Sequence, residues 1–392
     1  MMAGALFLMT GCSADDVVKE TTSEEPIAIS FSCNYDGEPQ QPTRAGHEGV
    51  MNTEDLYATG FGVMASVTAG DAPDYDNIPS LMYNQKVEFT FVGDREELID
   101  PEHTELGVKK GYWSYSPLKF WPTDLTHCYI SAYAPYVEQP IDGSGTGIIG
   151  ISGNSDVPYI TYRRCEKPDK VVDLLWYYKN FAPSDKIPEA TATKPAGTLN
   201  MKMHHALARL EIKVALKEGT VLAEGTKVLI DSITLTGTMT RTAKLILNDE
   251  TVVEGKHYPK WQALDPADTE SRTIIIDNED NNSESYGIID AQVRYIPGLP
   301  YSWQPAGLQV YDSEAEEGTD NGMRNALSTG GKIGYIYLIP LGTLSLTVKV
   351  KYHKMKAGSD EVKIKTANTP ITISPFYGNI PYSLNITLSG GI

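Results

Sequence analysis

Base is what this sequence is short of. Its 392 residues hold 33 Lys and Arg against 51 Asp and Glu, a formal net charge of −18. A surface of that sign repels phosphate backbones, and no basic stripe with interleaved aromatics offsets it, so nucleic acid is excluded as a partner. Residues 1–44 hold seven acids and two bases, so a body from Ala45 onward keeps 44 and 31, a net −13. Long apolar runs are missing too: nowhere are there the roughly 20 unbroken apolar residues of a membrane helix. Phenylalanine is scarce (8) beside tyrosine (23), with 34 Gly and 24 Pro, a balance that suits a β-rich, turn-dense, exported protein. No repeat of fixed short period is present, which argues against a solenoid or propeller.

Catalytic and ligand signatures are also thin. No G-x-S-x-G elbow occurs, and GSGTGIIG (143–150) lacks the lysine-serine/threonine end of a phosphate loop. His204 and His205 are neighbours, so on a strand they face opposite sides and cannot chelate one ion together. His127 and Cys128 diverge for the same reason. In the acidic loop 277–284, Asp277, Glu279 and Asn281 alternate as calcium ligands can. The sixth position is Asn282 where glycine is expected, however, and the twelfth is Ile288 rather than Glu. A solvated hairpin tip is the expectation there. No enzyme, metal or cofactor is implied.

What is present begins with residues 27–46, IAISFSCNYDGEPQQPTRAG. Ile27, Ile29, Phe31 and Cys33 alternate with Ala28, Ser30 and Ser32, the period of a strand with one buried face. A Gly/Pro/Gln-rich run follows and holds a lone base, Arg44, before Ala45. An apolar strand on a flexible tether with one arginine reads as a strand that can be cut off. Its loss would leave an unpaired edge and an apolar groove, and burial of four such side chains offers a replacement strand roughly 6–12 kcal/mol. The first twelve residues, MMAGALFLMTGC, match a bacterial lipobox, with Cys12 as the lipid acceptor. The basic n-region of a secretory signal is missing, so the true start is expected elsewhere. Of the four cysteines, Cys12 is assigned to lipid and Cys33 to the removable strand. Export favours a disulfide between Cys128 and Cys165, with isolated buried thiols as the alternative.

From Phe61 onward short apolar stretches recur between Gly, Pro and Asn turns. They include residues 61–67, 81–91, 127–136, 171–178, 227–237, 273–277, 332–340, 344–352 and 381–388. This spacing predicts β-sandwiches, with short helices around His205–Leu210 and Met323–Leu327. The Pro/Ala/Thr-rich residues 181–197 are the best linker. The aromatic block around Trp113, Tyr115, Phe120 and Trp121 is expected to serve as core and inter-sheet packing, with sugar stacking as the competing role.

Four places together resemble the fimbrillin family, the FimA/Mfa-type pilus subunits. They are the lipobox at Cys12, the apolar strand followed by PTRAG, the YWSYSPLKFWP…YISAYAPY block, and MHHALARLEIKV with YLIPLGTLSLTVKVKY…FYGNIPYSLNITL. The resemblance implies an all-β fold of two tandem transthyretin-like Greek-key β-sandwich domains with few short helices. The expected divisions are a lipoprotein signal at 1–12, a propeptide with the removable strand at 13–44, and domains at 45–195 and 196–392. It also implies export to the outer membrane as a lipoprotein and cutting between Arg44 and Ala45 by an arginine-specific protease. Donor-strand exchange with other fimbrial subunits, in a homo- or hetero-polymer, would follow. The chain ends four residues beyond Leu388, so a last strand integral to its domain would accept but not donate. That suits a tip subunit with an adhesive role. The alternative is a non-polymerising cell-surface lipoprotein that binds a glycan or host protein.

Overall fold

A computed structural model describes residues 26–35, 51, 53–68, 80–92, 111–122, 127–139, 143–154, 156–165, 171–182, 184–192, 194–216, 226–277, 285–287, 308–312, 324–325, 336–356 and 363–388. The fold is all-β, with one short helix among these residues. The first half contributes β1 (Ser30–Tyr35), α1 (Thr53–Thr59), β2 (Phe61–Thr68), β3 (Met82–Phe91), β4 (Gly111–Ser114), β5 (His127–Ala134), β6 (Gly147–Ile151), β7 (Tyr159–Arg163), β8 (Leu175–Phe181) and β9 (Thr198–His205). The second half contributes β10 (Ala208–Leu216), β11 (Thr226–Val253), β12 (Lys256–Asp277), β13 (Ser285–Gly287), β14 (Leu308–Asp312), β15 (Arg324–Asn325), β16 (Ile336–Leu338), β17 (Leu344–Lys356), β18 (Lys363–Ile373) and β19 (Pro381–Leu388).

The helix expected near His205–Leu210 is the end of β9 and the start of β10, and of Met323–Leu327 only Arg324 and Asn325 are described, as β15. In β9, Leu199, Met201, Met203 and His205 are buried while Asn200 and Lys202 are exposed, and this period of two outweighs local helix propensity. The helix lies instead at 53–59. Glu54 and Asp55 occupy its first turn, where carboxylates favour the dipole. Gly60, at φ +66°, ends it and donates from its N–H to Leu56 O (2.9 Å).

The first sheet has seven strands in the order β1-β9-β8-β5-β2-β3-β4. β1 pairs parallel with β9, from Ser30↔Thr198 to Tyr35↔Met203. The sheet curls back on itself, because the stretch after β4 reaches β1: Ala28 bridges Phe120 in antiparallel fashion. Ile29, Phe31, Phe61, Met82, Ile130 and Met203 are among the side chains of its core.

In the second half β10 pairs antiparallel with β15 and β16, and parallel with β19 from Arg209↔Pro381 to Leu216↔Leu388. A third sheet is built on a long hairpin. β11 and β12 run 28 and 22 residues, joined through Glu254 and Gly255 at φ +51° and +73°, the left-handed pair that a tight hairpin turn needs. Prolines sit where the β11–β12 ladder slips. Pro259 faces Glu250 beside one break, and Pro266 lies in the stretch between Ala263 and Asp268, which is left out of register. Sequence reading placed a strand at 227–237, where β11 runs on to Val253. Thr238–Arg241 carries no breaker, and at Gly237 a Cβ would come within 2.4 Å of Ser345 O, so glycine there lets β17 approach.

The two halves share a core. β7 pairs with β11 from Arg163↔Thr242 to Tyr159↔Ile246. Tyr133, Tyr162 and Trp176 pack with Leu245, Leu247 and Trp261. The indole N–H of Trp176 donates to Leu247 O (3.3 Å), and that of Trp261 to Ala206 O (2.9 Å). The Pro/Ala/Thr-rich stretch leads directly into β9, a strand of the first sheet. No helix among the described residues is long and apolar enough to cross a membrane.

Candidate functional site: the groove of the first strand

β1 lies at the edge of the described sheet, and its inward side chains, with those of the residues that lead into it, complete the first core. Ile29 is fully buried, and Phe31 and Cys33 are 5% and 8% exposed, whereas Ile27 packs half-buried against the same core. Ile29 and Phe31 therefore carry the apolar gain, roughly 1.5–3 kcal/mol each, while Ile27 and the small Cys33 add less. Phe31 meets Phe61 edge-on at 5.8 Å between ring centres and Tyr115 at 5.5 Å.

The entry to this strand is held on two sides. The Ile29 N–H donates to Lys119 O (2.9 Å), the Trp121 N–H to Ile27 O (2.9 Å), and the Ser30 N–H to Gly197 O (3.1 Å). The Tyr115 hydroxyl donates to Ile29 O (2.7 Å), and the Trp121 indole to Gly197 O (3.0 Å). Burial raises the Tyr115 pKa against the opposing pull of its Lys119 backbone contact, so the phenol stays a donor. Gly197 has φ +79°, and a Cβ there would lie 2.3 Å from Ala28 O and 2.6 Å from Ile27 Cγ2. Nearly all these contacts read backbone, so they hold an extended segment whatever its side chains.

The aromatic block divides between two tasks. Trp113 packs among Phe61, Phe89 and Tyr57. Trp121 is buried against Phe181 at 4.9 Å. Phe120 and Leu118, beside the start of β1, are 43% and 57% exposed.

Behind the groove lies a buried polar pair. His205, at the end of β9, places Nδ1 2.7 Å from Asp173 Oδ2, both side chains at most 1% exposed. The same carboxylate oxygen accepts the Met51 N–H (3.1 Å). The chain following the tether is thus fixed to the strand that β1 pairs with. Neither Asp173 nor Gly197 was among the sequence candidates, and Tyr115 was one only as a member of the aromatic block.

Cys12, Arg44 and Ala45 lie outside the described residues, as do 278–284 of the acidic loop. Cys128 and Cys165 are not brought together. Cys128 is buried in the first core, and Cys165 packs half-buried against the core shared by the two halves. Burial pushes the Cys128 thiol up to about 12 and raises that of Cys33 as well. His204 and His205 diverge: His204 Nδ1 faces Asn379 Nδ2 at 3.3 Å. His127 stacks on Tyr129 and meets Asn180, on the side of β5 opposite Cys128. Gly143 and Gly145 of the Gly/Ser run are turn residues whose carbonyls accept from Arg163 Nη1 (3.5 and 3.4 Å). Among the described residues no cluster of three or more His, Cys, Asp or Glu could hold a metal ion.

Comparison with known proteins agrees with this architecture. The curated fimbrium subunit Fim1C of Phocaeicola vulgatus is 24% identical over 242 residues, covering 60% of this chain and 55% of its own length. The chain thus spans about half the length of that relative. A crystal structure of a fimbrial protein from Bacteroides vulgatus matches with a TM-score of 0.55 at 19% identity, covering 92% of this chain and 95% of that one. That likeness extends to the fold. The model of the fimbrillin-like family matches residues 67–295, more than half of the sequence, and the chain belongs to the fimbrillin-like family.

Proposed function

We propose that the chain is a fimbrial structural subunit of the cell surface, completed by a strand from a neighbouring subunit. It is exported as a lipoprotein on Cys12 and held at the outer membrane until an arginine-specific protease cuts between Arg44 and Ala45. β1 then leaves, and the incoming strand takes the places of Ile27, Ile29, Phe31 and Cys33. The observation that carries this reading is β1 itself, an edge strand whose inward side chains are core residues and whose entry is held by backbone hydrogen bonds. The anchoring of Met51 by Asp173 supports it, because the body stays tied down on the far side of the cut.

The place in the fimbrium is the tip, with an adhesive role. Its support is β19, hydrogen-bonded to β10 over eight register positions, with Ser383 Oγ donating to Glu211 Oε2 (2.7 Å) and Leu388 buried. Withdrawing it as a donor would uncover the second core.

Treatment of the purified chain with an arginine-specific protease is the test. Loss of residues up to Arg44 with formation of heat-resistant oligomers on adding a donor subunit is expected, and an Arg44→Ala chain stays intact and monomeric. A clipped product that keeps β1 and never accepts a partner contradicts the reading.

One observation favours the non-polymerising alternative. A cleft of about 700 Å³ is lined by Tyr177, Tyr178, His204, Glu250, His257 and Asn379, side chains that suit a glycan or a host-protein loop. Glycan-array binding by the uncut chain, unchanged in Arg44→Ala, supports that alternative.

A further inference from the structure

The β1 groove is specific about what fills it. We infer that it is matched to a strand of a different chain rather than to β19 of a second copy. That strand would run parallel to β9, with an apolar side chain that fits the closed Ile29 position, an aromatic ring at Phe31 and a small side chain at Cys33. The inference rests on strand replacement at β1 being the function.

The three buried positions differ in kind. The Ile29 place is closed to solvent. The Phe31 place is an aromatic slot between Phe61 and Tyr115, which an aliphatic residue leaves partly empty. The Cys33 place, opposite Met201 in the register, is filled by a short side chain in a close-packed core, where added methyl groups overpack it. Between them, the N–H at Ser30 is spent on Gly197 O.

β19 has the outline of a candidate, since Tyr382, Leu384 and Ile386 alternate inward on an edge strand that is also parallel to its neighbour. Each register nevertheless fails at a named place. With Tyr382 in the Phe31 slot, Pro381 falls at Ser30 and has no N–H to give Gly197 O, and Leu384 overfills the Cys33 place. Sliding two residues one way puts Tyr382 into the closed Ile29 place and Ile386 at Cys33. Sliding two the other way puts Ile380 in the aromatic slot and Tyr382 at Cys33, and sliding four the first way leaves Ile386 in the slot and Leu388 at Cys33. Shifts by one residue turn the apolar face outward.

The test is competition on the protease-cut chain, with a fluorescent peptide of residues 26–35 as probe. Unlabelled 26–35 and its Cys33→Ala form are expected to compete alike. Ser30→Pro, Phe31→Leu and Cys33→Leu forms, and the β19 peptide 379–388, are each expected to compete at least about tenfold more weakly, the cost of one unpaired or mispacked group. A β19 peptide within about threefold of 26–35, a difference of less than 1 kcal/mol, overturns the assignment to a different chain while leaving strand replacement intact. Failure of the 26–35 peptide itself to rebind the cut chain overturns strand replacement and this inference with it.

Discussion

Gly197 carries the tightest constraint on the groove. At φ +79° with Ala28 O 2.3 Å from where a Cβ would sit, it can neither keep its backbone nor admit β1 if substituted. Gly197→Ala is expected to cost about 1–3 kcal/mol, read as a lower urea midpoint and as faster amide exchange over residues 27–30. The thiols offer a second test. Cys33 and Cys128 are buried and held neutral, whereas Cys165 is half-buried, so native-state alkylation is expected to modify Cys165 first. The Cys128 thiol ordinarily titrates at 9.0 and is pushed up to about 12 in the fold. Below pH 9 it is protonated folded and unfolded alike. Between about 9 and 12 only the unfolded thiol ionises, so stability falls as pH rises through that window, measurable as a declining melting temperature. At this scale the inward residues of β1 were legible because period two is written locally. Tyr115 and Ile29 stand 86 positions apart, and no spacing rule joins them; Gly197 looked like linker punctuation for the same reason.

Among elements, the long β11–β12 hairpin binds the molecule together. Its prolines and bulges made it read as short separate stretches, 227–237 and 273–277 among them, since a ladder interrupted but not ended is visible only once both partners are in place. The missed helix at 53–59 is only seven residues, about two turns, too short for its apolar period to announce it. Where β12 crosses the end of β7, Glu270 faces two guanidiniums: it pairs with Arg164 and, at 3.3 Å, with Arg272, whose side chains are 4% and 7% exposed. Removing that carboxylate takes an ion-pair partner from each of two nearly buried cations. Glu270→Gln is expected to cost about 3 kcal/mol, the low end for a broken buried pair because Glu270 keeps some contact with water. Chemical denaturation of the full chain checks this, and an unchanged midpoint contradicts it.

Among the described residues, two sheet cores are joined by a third. Trp261 sits in that junction, buried and hydrogen-bonded to Ala206 O at the step between β9 and β10. Trp261→Ala is expected to cost about 3–5 kcal/mol and to split the thermal transition into two in calorimetry, while the wild-type chain melts as one. Sequence conveyed the all-β class through recurring alternation and turns, but not the junction, because its partners come from β7, β8 and both arms of the hairpin. The groove has a role at this scale too: β1 completes the first core, and under the proposed function that strand is temporary. N-terminal sequencing of the mature protein taken from fimbriae addresses that claim most directly. A chain beginning at Ala45, with residues 27–35 gone, is the predicted result; a chain beginning at a lipid-modified Cys12 and still carrying β1 would contradict it.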